Sequence, residues 1–417
     1  MKETNFKHTD IGLIPQDWVV KKIGEFTDVV TGATPSTHIA KYWDNGTIRW
    51  MSSGEVNLKY VREVKGRITE EGYNSTSTHI VPSRSVLIGL AGQGKTRGTA
   101  AFNLVKLCTN QSIGSILPND LYESLYLYHF LDSMYNDLRL LSAGDGGRGG
   151  LNKQLLLGYK VKLPTSIEEQ RRIAEALLDI DQLLDAMDAQ IAKKQAIKTG
   201  AMQQLLTGKT RLAGFTEPWI EKRVGTIGYT YAGLTGKTKE DFGRGNSQYI
   251  TFLNVLNNPV LNPSLFENVN VSSVEKQNKA HKNDLFFNTS SETPEEVGIC
   301  SVLDVEIDNL YLNSFCFGFR ITDPNVYGKY LAYFWRSACG REIMTALAQG
   351  ATRYNLSKVY FNAAVISLPS QIEEQVAIAE VLSNMDAEIQ ALQDERNKYA
   401  LIKQGMMQEL LTGKTRI

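Results

Sequence analysis

Cysteine is scarce in this chain. Only Cys108, Cys300, Cys316 and Cys339 occur in 417 residues, and no two form a C-x-x-C pair. That excludes the usual zinc spacings and a disulfide framework, and it fits a reducing, cytoplasmic setting. Histidine is equally thin: His8, His38, His79, His129 and His281 are scattered and read as surface or packed residues, so no metal site is expected. No apolar run approaches the ~20 residues of a membrane span, and the polar opening MKETNFKHTD does not read as a signal peptide. Net charge is missing as well. The 45 Lys and Arg balance 45 Asp and Glu, so the chain as a whole has no general pull toward nucleic acid or membrane.

What is present is length and a repeat. The 417 residues suffice for two or three domains with real cores, and 42% hydrophobic with 22% charged residues is an ordinary globular balance. LPTSIEEQRRIAEALLDIDQLLDAMDAQIAKKQAIKTGAMQQLLTGKTR (Leu163 to Arg211) aligns without a gap on LPSQIEEQVAIAEVLSNMDAEIQALQDERNKYALIKQGMMQELLTGKTR (Leu368 to Arg416). About half of the positions are identical, which identifies an internal duplication.

Each copy reads as one long helix. Pro164 and Pro369 precede it. Thr165 and Ser370 are aligned cap candidates with Glu168 and Glu373 three residues later, the pattern in which cap and glutamate satisfy each other's backbone N–H. Ile173, Leu177, Ile180, Leu184, Met187 and Ile191 then recur at spacings of four and three. Ile378, Leu382, Met385, Ile389 and Leu392 do the same in the second copy. Such a seam buries itself against another helix. Only two such helices exist, so they are expected to pair with each other, antiparallel. Gly208 and Gly413 end the copies, as glycine does just past a helix. About 40 residues make a rod of roughly 60 Å.

The segments between match more loosely. DWVVKKIG (Asp17 to Gly24) resembles PWIEKRVG (Pro218 to Gly225), and LNKQLLLGYKVKLP (Leu151 to Pro164) aligns with LSKVYFNAAVISLP (Leu356 to Pro369). Between these landmarks the halves diverge. The expected plan is a variable domain at 1–162, a helix at 163–211, a second variable domain at 212–367 and a second helix at 368–417. The variable parts mix short β-branched and aromatic runs with helical stretches, so the fold class is α+β, two globular domains joined by two long antiparallel coiled-coil helices with a pseudo-twofold.

The duplicated LP..IEEQ..IAE.L...D helix starts, the duplicated Q.LLTGKTR ends and the IPQDW stretch (Ile14 to Trp18) together resemble the specificity subunit of type I restriction-modification systems, over the whole chain. The resemblance implies that each variable domain is a target-recognition domain reading one half of a split double-stranded DNA sequence. It implies that the helices act as a spacer and dock two methyltransferase subunits, joined by restriction/translocase subunits. It also implies no catalysis by this chain and no cofactor in it. S-adenosylmethionine, ATP and Mg²⁺ would belong to the partners.

One motif competes with that reading. Gly89 to Thr96 (GLAGQGKT) matches the phosphate-loop pattern G-x-x-x-x-G-K-[ST], which would make Lys95 and Thr96 part of an ATP-binding enzyme. A phosphate loop needs a helix directly after it. Here Gly98 stands where that helix would begin, and Gly-Lys-Thr recurs at Gly94, Gly208, Gly236 and Gly413, two of them at helix ends. The alternatives are a tight turn with a solvated basic tip, or a DNA-contacting loop in which Gln93, Lys95, Thr96 and Arg97 meet phosphates and base edges. Two further loops lie just before the long helices. One carries Arg148, Asn152 and Lys153, the other Thr352, Arg353, Tyr354, Asn355 and Lys358; both read as surface loops or as DNA-facing ones. Ser290, in the acidic stretch NTSSETPEEVG, is a weaker candidate. Residues 1–162 carry 19 Lys and Arg against 15 Asp and Glu, and residues 212–367 carry 14 against 15. Neither domain is basic enough to grip DNA alone, which requires partners to supply phosphate contact. The paired glutamates at the helix starts (Glu168, Glu169, Glu373, Glu374) suit the positive end of the helix dipole.

Overall fold

The computed structural model describes residues 5–92, 94–141 and 150–417. It divides into two compact units, one of Met1–Met187 with Glu395–Ile417, the other of Asp188–Asp394. Each unit therefore holds one variable domain, the start of that domain's own long helix and the end of the other.

The helices run over Ile167–Leu205 and Ile372–Leu410, 39 residues each. The cap lies one residue later than Thr165. The Ser166 hydroxyl accepts the Glu169 N–H at 3.3 Å, because Pro164 is still the last residue of a strand and Thr165 is used to turn the chain. The second helix starts at the aligned place, so Ser370 is displaced in the same way. Ile173, Leu177, Ile180, Leu184 and Met187 are buried in the first unit. Ile191, Ile378, Leu382 and Ile389 are buried in the second, where Met385 and Leu392 are half-buried. Within the second unit Lys194 meets Glu388 at 2.5 Å and Lys198 meets Asp386, so the two helix segments there run antiparallel. In the first unit Lys403 meets Asp181 at 2.5 Å. Gly208 and Gly413 follow the helix ends with φ of +69° and +71°, the left-handed conformation that glycine adopts without a clash. A Cβ on Gly413 would also stand 2.3 Å from Pro15.

The duplicated residues have one job in each unit. Trp18–Lys22 pairs antiparallel with Lys160–Pro164, Trp18 opposite Pro164; Trp219–Arg223 pairs with Val365–Pro369, Trp219 opposite Pro369. The buried Gln170 amide donates to the Pro164 carbonyl and accepts the Glu123 N–H, both at 2.8 Å. Gln375 does the same with Pro369 and Tyr327, both at 2.9 Å. The second glutamate of IEEQ does more than favour the dipole. Arg211 forks onto the buried Glu374 at 2.5 and 2.7 Å. Arg416 forks onto Glu169, and onto Asp17 at 2.9 and 2.8 Å. That bond to Arg416 holds the Asp17 carboxyl below its ordinary range.

Each variable domain is built around one larger sheet covered on both faces, with smaller sheets beside it. In the first unit the strand order is Val29–Thr31, Ile113–Ile116, Val86–Gly89, Ala100–Asn103 and Tyr60–Val61, antiparallel except for the last pair. Side chains alternate along a strand. Val86 and Ile88 pack with Tyr126, Leu127 and Leu131 of the helix Ser124–Ser133, while Leu87 joins Met51, Val56 and Val81 on the opposite face. In the second unit Gly228–Ala232, Cys316–Ile321, Leu285–Asn288 and Cys300–Val302 form an antiparallel sheet. Leu285 and Phe287 face Tyr330, Tyr333 and Trp335 of the helix Gly328–Arg336, and Phe286 faces the other core. All four cysteines are free thiols. Among the described residues no helix is long and apolar enough to cross a membrane, and no three His, Cys, Asp or Glu stand where they could hold a metal ion.

Candidate nucleic-acid interface

The glycine-lysine motif of the first unit is the loop of a β-hairpin. Val86–Gly89 returns as the antiparallel strand Ala100–Asn103, with Ile88 opposite Ala100. The Gly89 N–H donates to the Thr99 carbonyl at 3.0 Å, and the Gly98 N–H donates to Gly89 at 2.8 Å. No helix follows, so no helix N-terminus faces a phosphate and the phosphate-loop reading falls. The glycines serve the hairpin. A Cβ on Gly89 would stand 2.2 Å from the Thr96 carbonyl oxygen, and Gly98 has φ +82°. Lys95 is exposed at the tip; Thr96 and Arg97 are half-buried. Gln93 and Arg148 lie outside the described residues.

The base of this hairpin meets the loop before the long helix. The Leu151 N–H donates to the Leu90 carbonyl at 3.1 Å. Asn152 follows and caps the helix Lys153–Gly158, its side-chain oxygen accepting the Leu155 N–H at 2.9 Å. The Lys153 ammonium stands 3.3 Å from Asp28. The Asp28 carboxyl lies below its usual range, first because the Val29 N–H donates to it and then because of Lys153.

The second unit repeats the arrangement with other side chains. The Leu356 N–H donates to the Thr289 carbonyl at 2.9 Å, the counterpart of Leu151 and Leu90. Ser290–Ser291 pairs with Tyr354–Leu356, Ser290 opposite Asn355 and Ser291 opposite Tyr354, and Ala348–Gln349 completes a three-stranded sheet. Arg353 donates from Nε to the Ser290 hydroxyl at 3.1 Å. Ser290, Arg353, Tyr354 and Asn355 are thereby brought together, with Thr352 exposed in the turn between Gln349 and Tyr354. The Lys358 ammonium lies 5.5 Å from the Phe317 ring centroid. Behind them the buried Asn288 amide accepts the Ile299 N–H at 2.6 Å and donates to Glu296 at 2.8 Å, fixing the turn. Sequence reasoning missed Gln349, which shares the small sheet, and Asn288. It also missed Arg139 and Arg341, which bond the two hairpin tips at 2.6 and 3.0 Å.

Comparison with known proteins fits this doubled arrangement. The family model of the type I restriction modification DNA specificity domain matches residues 15–197 and again residues 216–399. The MjaIX type I restriction enzyme specificity subunit of Methanocaldococcus jannaschii is 35% identical over 191 residues, 44% of this chain; the match spans only 42% of that relative's length. The MjaVIII specificity subunit of the same organism is 24% identical over 434 aligned residues, covering all of this chain and 97% of the relative. In fold alone, the chain resembles the S subunit of a type I restriction-modification system from M. genitalium, with a TM-score of 0.60 at 12% identity over 94% of this chain and 96% of that one. With its domain present twice and matched over most of its length, the chain belongs to the type I restriction-modification DNA specificity family.

Proposed function

We propose that this chain reads a bipartite double-stranded DNA sequence, one half-site per unit, as the specificity subunit of a type I restriction-modification complex. It directs adenine methylation and restriction by partner subunits and supplies no catalytic group itself. S-adenosylmethionine, ATP and Mg²⁺ are bound by two methyltransferase subunits and by restriction/translocase subunits. The observation that carries this reading is the repeated pair of loops. In both units the base of a hairpin and the loop before the last strand are tied by one leucine N–H, yet the side chains around them are unlike.

The chemistry of those loops suits base reading. Arg353 carries a planar fork that matches guanine, and Asn152 and Asn355 carry amides that match adenine. Lys95, Thr96, Arg97, Lys153, Ser290, Thr352, Tyr354 and Lys358 provide phosphate or edge contacts beside them. The balanced charge of each domain leaves most of the phosphate grip to the partners. The long helices set the gap between half-sites.

Methylome sequencing tests this directly. A host lacking its own systems would express the chain with its cognate methyltransferase subunit, and that subunit alone. A split motif modified only when both are present is the expected result; no motif from a stable complex sinks the assignment. Inserting four residues in both helices adds about 6 Å. At about 3.4 Å per base pair, the gap should widen by roughly two base pairs.

A further inference from the structure

Both hairpin tips are held by an arginine from the same place in the fold. In the first unit the helix Tyr135–Leu141 follows Ser124–Ser133. Arg139 Nη1 donates to the Gly94 carbonyl at 2.6 Å, and the Tyr135 hydroxyl donates to the Lys95 carbonyl at 3.4 Å. A Cβ on Gly98 would stand 3.0 Å from Arg139 and 3.2 Å from the Tyr135 carbonyl oxygen, so the tip lies directly on this helix. In the second unit the helix Ala338–Leu347 follows Gly328–Arg336. Arg341 donates to the carbonyls of Gly298 at 3.0 Å, Glu295 at 2.9 Å and Val297.

The two tips, at Gly94–Gly98 and Ser291–Gly298, share no sequence beyond a closing glycine, yet these two guanidinium groups bond main-chain oxygen in both. A hairpin loop that leaves its ladder frees carbonyls, and a guanidinium offers five N–H donors in a fixed fork. Such a grip is indifferent to the side chains of the loop. It lets the tip change its side chains while keeping its place. Burial lowers the Arg341 pKa.

We propose that Arg139 and Arg341 are positioning residues for sequence reading, each fixing one recognition tip by its backbone so that the tip side chains meet the base edges at a set depth. The inference rests on the DNA-reading function proposed above.

The test is the methylome of the full chain with its methyltransferase subunit, comparing wild type with Arg139→Ala and Arg341→Ala. Each variant should relax one half-site, with about a tenfold loss of discrimination at one or more positions. The two variants should relax opposite half-sites, and the other half-site and the gap should stay as in wild type. An unchanged motif methylated uniformly less often would mean a merely structural role and overturn the proposal. Equal relaxation of both half-sites by one variant would overturn it too. If Arg341→Ala does not assemble, Arg341→Lys, which keeps the charge and loses the fork, must show the same one-sided relaxation. Absence of any split motif with the wild-type chain would bring down the function reading itself, an outcome distinct from a wild-type motif that the variants leave intact.

Discussion

In the second unit Asp386 pairs with Lys198 and takes the Tyr333 hydroxyl at 2.8 Å. In the first unit Asp181 pairs with Lys403, yet His129 stands where Tyr333 stands, six residues after the N–H held by the helix-start glutamine. The hydroxyl for Asp181 comes instead from Tyr60, on the edge strand Tyr60–Val61, also at 2.8 Å. Burial raises the pKa of both tyrosines, which keeps them as donors. One helix carboxylate is thus satisfied in the same manner by residues from different elements. What stays constant between the units is the polar contact at the helix, whereas the domain residue that supplies it can change.

The largest effect should come from the arginine clamps on the second glutamate of IEEQ, a contact both units share. Arg211→Ala leaves Glu374, only 1% exposed, without its partner. Stranding a buried charge costs about 3–5 kcal/mol. Urea unfolding followed by tryptophan fluorescence should show that loss in the second unit, where Trp219 and Trp335 report. Arg416→Ala should weaken the first unit to a similar degree, since Glu169 is also buried, at 6%. A loss below about 1 kcal/mol for both, the range of surface ion pairs, would mean that these clamps do not hold the units.

A smaller effect separates the units. His129 is fully buried. Asp181 lies 4.0 Å from Nδ1, with Lys403 and Asp132 also acting on the ring. Burial, reinforced by Lys403, pushes the imidazole down to about 3. The unfolded chain takes up that proton near pH 6.5, so between the two values the unfolded state binds more protons. Stability from this group is complete above pH 6.5 and is lost as pH falls toward 3, by about 1.4 kcal/mol per pH unit. His129→Tyr, which copies the second unit, should remove this slope. At pH 5 it should gain about 2 kcal/mol over wild type relative to their difference at pH 8. Parallel pH profiles for the two proteins would show that the histidine is not the acid-sensitive element of the first unit.

Much of this was legible in the sequence, for physical reasons that differ by element. The long helices announced themselves through a seam repeated locally and then duplicated. The acidic first halves (Asp181, Asp185; Asp386, Glu388) and the lysines of the later halves (Lys193, Lys194, Lys198; Lys403) were a further readable sign of antiparallel pairing. The glutamine of IEEQ and the arginine of GKTR could be seen as identical letters, but their partners lie far off in the chain. The caps slipped by one residue because strand pairing, a non-local event, decided where Pro164 ended. The motif at Gly89 was ambiguous because glycine serves a hairpin turn and a phosphate loop for the same reason, freedom of backbone. Arg139 and Arg341 left no signal, since the carbonyls they bind have no side-chain signature.

The smallest prediction concerns how firmly each unit holds the cation proposed to read its half-site. Arg353 is tied at Nε by Ser290, which leaves its outer nitrogens as a fork of set direction. The exposed cation of the first unit's tip, Lys95, is a point charge on a flexible stem. On the proposed function the second half-site therefore contains a guanine specified more sharply than any base that Lys95 reads. Ser290→Ala removes one hydrogen bond at a half-exposed site, where water replaces the lost partner, so global stability should fall by no more than about 1 kcal/mol. Freed at Nε, the guanidinium samples more directions, and discrimination at that guanine should fall about threefold to fivefold while the first half-site is untouched. Arg353→Ala sets the upper limit of the effect at the same position. If Ser290→Ala and Arg353→Ala both leave the second half-site as sharp as before, the guanine is read elsewhere, and the two units differ in loop sequence without differing in how rigidly they read.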